Sequence, residues 1–111
     1  MNGGVVIKYS ANQKHTTDAV SAGPFKVICA RADVPLQVFI NQSDVLGGST
    51  LGNISGSHVA LNTVDIGLAQ LAMHSPYEIG GNQDPLHLLN MMKALYSAEI
   101  LCTQDGEYPV L

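Results

Sequence analysis

The first apolar run, Val5-Val6-Ile7 followed by Lys8 and Tyr9, is β-branched and lacks helical spacing, which predicts a buried strand. Thr16, Thr17 and Asp18 then offer helix-capping oxygens. Beyond them Val20, Phe25, Ile28 and Cys29 favour one side of a helix that ends before Pro35, although Gly23-Pro24 weakens the pattern. Leu36 to Ile40 reads as a second strand, closed by a polar, glycine-rich turn through Asp44, Gly47 and Gly48. From Ser49 or Thr50 a glycine-weakened helix follows, with Leu51, Ile54 and His58 spaced three and four apart. Thr63 to Ile66 predicts a third strand, and Gly67 to Met73 forms an apolar approach to His74-Ser75.

Ser75-Pro76-Tyr77-Glu78 combines an N-cap serine, a first-turn proline and a glutamate three places on, which predicts a helical turn. Asp84-Pro85 repeats the cap-and-proline signal, and Leu88, Met92, Leu95 and Glu99 mark successive turns of a longer helix. After Ile100, Asp105-Gly106 and Pro109 predict a turn and a surface extension. Strand and helix alternate three times, so the fold class is α/β: βαβ units in a three-layer α/β/α arrangement, with a largely parallel sheet covered on both faces. Residues 1–100 form one domain segment and residues 101–111 a tail extension.

Composition narrows the function. With 46% hydrophobic and 13% charged residues in 111, the chain has a real core and little polar surface, so some apolar surface calls for a partner. The formal charge is −4 with five scattered Lys and Arg, which excludes a footprint for nucleic acid or anionic membrane. Residues Met1 to Ser10 lack the basic start and long apolar stretch of a secretion signal, and no apolar segment reaches membrane-spanning length. Cys29 and Cys102 belong to no metal-spaced pair and fit a reducing compartment, so a cytoplasmic location is expected. Asn41-Gln42-Ser43 and Asn53-Ile54-Ser55 match the glycosylation pattern, which has no use without export.

Gly47-Gly48-Ser49-Thr50-Leu51-Gly52 lies between a strand and a helix, where backbone N–H groups can hold an anionic or carbonyl oxygen, but the pattern alone favours an ordinary tight turn over a site. It is not a nucleotide loop, because Asn53 and Ile54 stand where that motif needs Lys and Ser or Thr. His74 follows an apolar run at an expected strand's C-terminal edge, a position suited to a ligand, yet with no companion ligands nearby spacing alone favours a packed or capping histidine. His15, His58 and His87 read as structural or solvated. Lys8 closes an apolar strand and can put a cation into a cleft or simply reach water. Asp44 can orient a ligand or form a turn.

Taken in order, Val6-Ile7-Lys8, Ala11-Asn12-Gln13, Gly47 to Gly52, Val64-Asp65-Ile66-Gly67 and Gln70-Leu71-Ala72-Met73-His74-Ser75 resemble the aspartyl aminopeptidase and aminopeptidase I family of zinc aminopeptidases. The resemblance runs from about Asn2 to Ile100, and its most specific piece ends in Met73-His74-Ser75. It implies a partial zinc-exopeptidase domain in which His74 is a ligand of a two-metal centre, usually of zinc. It also implies that the stretch from Gly47 to Thr50 lines the substrate cleft with Lys8 close by, so Lys8, Asp44, Gly48, Ser49 and Thr50 are the substrate-binding candidates.

In that family two metals polarise the scissile carbonyl and hold a nucleophilic water, while a glutamate takes the water's proton. The other ligands and that glutamate belong to segments preceding Val5 in a full-length relative, so no catalytic residue is assigned here. The chain is then expected to be a C-terminal fragment of a metalloaminopeptidase, inactive alone, that needs the missing N-terminal part of the enzyme to cleave its peptide substrate. Relatives form large closed oligomers, which implies a homo-oligomer. Lys14-His15 replaces the family's basic-aromatic pair, and the Gly-Gly-Ser-Thr-Leu-Gly-Asn form is closer to the neutral-residue-cleaving branch. The alternative is a non-enzymatic oligomerisation or interaction module of the same fold, suggested by the low charged fraction and the missing catalytic partners.

Overall fold

A computed structural model describes residues 1–42 and 44–111, so Ser43, and with it the Asn41-Gln42-Ser43 pattern, lies outside the described residues. The chain is a mixed α/β unit built around β1 (Val5–Tyr9), whose Val5 and Ile7 are fully buried as their alternation requires. α1 (Ala19–Arg31) carries the chain over to β2 (Leu36–Ile40), which pairs parallel with β1 from Val5↔Leu36 to Tyr9↔Ile40.

Asp18 is the cap of α1. Its carboxylate accepts the Ser21 N–H at 2.7 Å while the Ser21 hydroxyl accepts the Asp18 N–H at 3.1 Å, a complete capping box. Pro24 sits inside the helix and removes one backbone donor, but Ala22, Phe25, Ile28 and Cys29 are buried against the rest of the molecule and hold the helix through it. The helix stops at Ala32, and Val34 donates back to Cys29 at 2.9 Å before Pro35 opens β2.

The core joins Val5, Ile7, Phe25, Cys29, Val34 and Met91, each such side chain stabilising by roughly 1.5–3 kcal/mol when taken out of water. Met91 belongs to α3 (Asp84–Ser97), where Leu88, Met92 and Leu95 pack around it. Both α1 and α3 therefore cover the face of the sheet that carries Val5 and Ile7. The opposite face carries Val6, Lys8 and Phe39 by alternation, and Phe39 is exposed.

Deep in that core, burial pushes the Cys29 thiol up to about 11, whereas Cys102 is exposed; both are free. A thiol reagent at pH 8 is expected to modify Cys102 quickly and Cys29 only on unfolding, so absorbance should count one fast and one slow thiol.

Two expectations are corrected here. The third strand is β3 (Ile66–Gly67), shorter and later than Thr63 to Ile66, and it pairs antiparallel with β1 through Ile7↔Ile66 and Val6↔Gly67. The sheet order β2-β1-β3 thus holds one parallel and one antiparallel pair. The direction follows from where the chain re-enters the sheet: Asp65 is bonded to Thr16 and Thr17, just past the C-terminal end of β1, so the next residues can only run back along it. Second, Ser75 to Glu78 form no helical turn. They lie in the connection of a separate hairpin, β4 (Gln70–Leu71) with β5 (Ile79–Gly80), because Ile79 pairs back onto Leu71 and the chain must reverse within that span.

The helix expected from Thr50 exists as α2 (Leu51–His58), with none of its residues buried. Glu99 lies beyond α3 and exchanges both backbone hydrogen bonds with Leu111, at 3.3 and 2.8 Å. The expected turn forms at Gly106, whose N–H reaches Thr103 at 3.1 Å with a left-handed backbone (φ 78°). The tail consequently folds back as a hairpin and buries Val110 instead of extending over the surface. No helix among the described residues is long and apolar enough to cross a membrane.

Candidate functional site

Asp65, a lone acid between apolar Val64 and Ile66, is where the sequence elements converge. One of its carboxylate oxygens accepts the Thr16 N–H at 2.7 Å, the Thr16 hydroxyl at 3.1 Å and the Thr50 hydroxyl at 3.0 Å. Its N–H donates to the Thr17 hydroxyl at 2.7 Å, and its carbonyl accepts the Lys8 N–H at 2.9 Å. The strand carrying Lys8, the loop after it and the rim before α2 are thereby tied to one residue.

A second set of bonds zips the loop to the rim. The Thr50 N–H reaches the Lys14 carbonyl at 3.4 Å, and the Asn53 side-chain amide donates to the Gln13 carbonyl at 2.9 Å and to the Ser49 hydroxyl at 3.0 Å. Thr50 is the N-cap of α2 by position, but its hydroxyl goes to Asp65 and makes no cap bond. Gly48 is exposed, with open space where a side chain would stand. Lys8 lies across Gly67, where a Cβ would press on its Cε and Nζ, so the glycine leaves the ammonium its path.

Burial pulls the Asp65 carboxyl upward, but the Thr16 N–H, the Thr50 and Thr16 hydroxyls and the nearby His15 together hold it below its ordinary value of 3.8. A depressed folded value means that the stabilisation is complete above about pH 4, the unfolded value, and is lost as pH falls through the lower folded one. Asp65→Asn is expected to flatten the fall of unfolding free energy with pH in that acid window, read by denaturant unfolding at a series of pH values.

His15, read as structural or solvated, is buried, and its Nδ1 has no hydrogen-bond partner among the described residues. It lines a polar cleft of about 600 Å³ with Ser10, Gln13, Asp18, Asn53 and Ser57. An apolar cavity of about 420 Å³ between α1, α3 and the tail touches none of the predicted site residues. Asp44 stands on the surface, apart from the Asp65 cluster, with no side-chain hydrogen bond among the described residues.

His74 sits elsewhere, in the connection between β4 and β5, and not at an edge of the three-stranded sheet. Its backbone is left-handed (φ 69°), as is that of Ala72 (φ 54°), and its N–H donates to the Glu78 carboxylate. The ring is exposed and makes no hydrogen bond to the described residues. A free imidazole of this kind fits one position on zinc, which takes three protein ligands in a catalytic site. Among the described residues no group of three or more His, Cys, Asp or Glu side chains could hold a metal ion.

The sequence reading missed Asp65, Thr16, Thr17 and Glu78. Asp65 carried a usable signal, since a charged residue within an apolar run must find partners on folding. Thr16 and Thr17 read as caps because nothing local reveals a hydrogen-bond partner so distant in the chain.

Residues 1–96 match the profile of the Aminopeptidase I zinc metalloprotease (M18) family. The chain belongs to this family. A probable M18 family aminopeptidase 2 of Pseudomonas aeruginosa is 44% identical over 101 residues, which are 91% of this chain and 24% of the relative. The corresponding protein of Pseudomonas savastanoi pv. phaseolicola is 43% identical over the same shares. The M18 chain described here therefore spans about a quarter of the length of the curated relatives it matches. It is similar to a chain in the cryo-EM structure of the Ape4 and Nbr1 complex (TM-score 0.85, 33% identity, 86% of this chain and 18% of that one). It is similar also to the crystal structure of prApe1 (TM-score 0.82, 25% identity, 86% and 20%).

Proposed function

We propose that this M18 chain is the segment of a zinc aminopeptidase that supplies one metal ligand, His74, and one wall of the peptide cleft. The observation that carries the reading is the imidazole on an exposed turn, without a hydrogen bond to the described residues, within a chain that matches the family along residues 1–96. Zinc, when bound, would polarise the scissile carbonyl and acidify a water. The residues of this chain contribute orientation: Gly48 and Ser49 offer main-chain groups at the rim, Thr50 is anchored on Asp65, and Lys8 brings a cation to the same wall.

One imidazole cannot retain two catalytic metals, so the isolated chain is inactive. The uncovered sheet face with Val6, Lys8 and Phe39 receives the rest of a three-layer, largely parallel domain, and the homo-oligomer is built by that complete domain in the cytosol. The test joins residues 1–96 to the remainder of the Pseudomonas aeruginosa relative in place of its matching segment, giving a complete enzyme. Hydrolysis of aminoacyl p-nitroanilides by this chimaera, with none by the chain alone, is the expected result. A folded, zinc-loaded chimaera without activity overturns the reading.

The non-enzymatic module draws on one observation, the exposure of large apolar side chains that include Val38, Ile40, Leu46 and Leu51. Under that reading the chain alone self-associates at micromolar concentration in analytical ultracentrifugation, and the chimaera cleaves nothing.

A further inference from the structure

We propose that Asp65 is a positioning residue for the substrate cleft: its carboxylate sets the separation of the loop from Lys14 to Thr17 and the rim from Gly47 to Thr50, and so how tightly a peptide is gripped. The inference rests on the aminopeptidase reading above and adds to it a residue that never meets the substrate. A single carboxylate oxygen takes three donors, at 2.7, 3.1 and 3.0 Å, from both of the segments that face each other. Its backbone N–H and carbonyl are committed to Thr17 and Lys8. Each polar contact of the residue therefore ends on a segment that carries or flanks a cleft residue.

The geometry is tight as well as bonded. At Gly52 in α2 an added Cβ would stand 3.0 Å from the Thr16 hydroxyl and 3.3 Å from an Asp65 carboxylate oxygen, so the first turn of the helix leans directly on the cluster. Bonds to an ionised carboxylate are about twice as strong as neutral ones, and three of them fix the spacing of the two segments. A shift of the rim changes how the substrate is held and leaves the chemistry at the metals as it was, so the effect falls on KM and not on kcat.

The experiment uses the complete enzyme, with Thr16 as the probe because Thr16 is not among the substrate-contact candidates. Loss of one charge-assisted bond is expected to raise KM about tenfold in Thr16→Val and at least as much in Asp65→Asn, with kcat changed less than about twofold. Thr16→Ser, which keeps the hydroxyl, restores the wild-type KM. In the double variant Thr16→Val with Asp65→Asn, KM is no higher than in Asp65→Asn alone. Amide exchange in Asp65→Asn accelerates at residues 14–17 and 47–50 while α1 and α3 stay protected.

An unchanged KM in Thr16→Val, a Thr16→Ser enzyme as impaired as Thr16→Val, or additive effects in the double variant overturn the proposal. If the unsubstituted enzyme cleaves no substrate, the aminopeptidase reading fails separately. Exchange at residues 14–17 and 47–50 then still decides whether Asp65 holds the two segments, and unaltered protection there overturns it.

Discussion

His74→Gly in the complete enzyme is expected to abolish aminopeptidase activity while leaving the metal-free protein as stable as before, or slightly more so. The ring makes no hydrogen bond to the described residues and is exposed, so its removal empties no core. The backbone at this position is left-handed (φ 69°), which costs a β-carbon residue roughly 1–2 kcal/mol and glycine almost nothing. Loss of a direct metal ligand should lower kcat by about a thousandfold or more, since even outer partners of such ligands are worth about 10–100-fold. Zinc content by mass spectrometry should fall in parallel, and the melting temperature compared between the metal-free forms should hold or rise. A variant that keeps its zinc and its turnover removes His74 from the metal centre. Strain kept at one exposed histidine is intelligible if the turn serves to present the ring.

Asp84→Ala carries the largest expected loss of stability. The sequence suggests a cap, yet Asp84 is the first residue of α3, the cap position is held by Gln83 without a side-chain bond, and the Asp84 side chain is 1% exposed. Its two oxygens accept the Asn2 N–H at 2.7 Å and the Gly4 N–H at 3.1 Å, while the Asn2 side chain accepts the Gln83 N–H at 2.9 Å. This clamp fixes the approach to β1. Gly4 has φ 90°, and a Cβ there would strike the Pro35 carbonyl, so the strand cannot enter the sheet by another route.

Alanine strands the buried Gly4 N–H and leaves space beside it, which should cost about 2–4 kcal/mol. Chemical denaturation of the complete enzyme should show that loss, and the exchange of the β1 amides should quicken first. A change below about 0.5 kcal/mol, the scale of an ordinary surface substitution, would mean that the clamp holds nothing.

How much was legible in advance differed by kind of interaction. β1, α1, β2 and α3 were readable because each carries a local signal: the β-branched run Val5 to Ile7, the capping oxygens of Thr16 to Asp18, an apolar run before a glycine-rich turn, and Leu88, Met92 and Leu95 at helical spacing. The Ser75 to Glu78 signal was equally local and misled, because a glutamate four places after His74 can serve the His74 N–H as readily as a helix start, and pairing of Ile79 with Leu71 decided between them. Family resemblance, and not spacing, selected His74.

By itself the amino-acid sequence determined the succession β1, α1, β2, α2 and α3, the membership of a zinc aminopeptidase family and the residue types present for a site. Only the tertiary structure decided that β3 runs antiparallel, that His74 rides a separate hairpin, and that Asp65 and Asp84 bind backbone far away in the chain, with separations of 49 and 80 residues for Thr16 and Gly4. The physical reason is range: periodicity and capping express bonds within a turn or two, whereas a buried carboxylate is satisfied by whichever donors the completed fold brings to it.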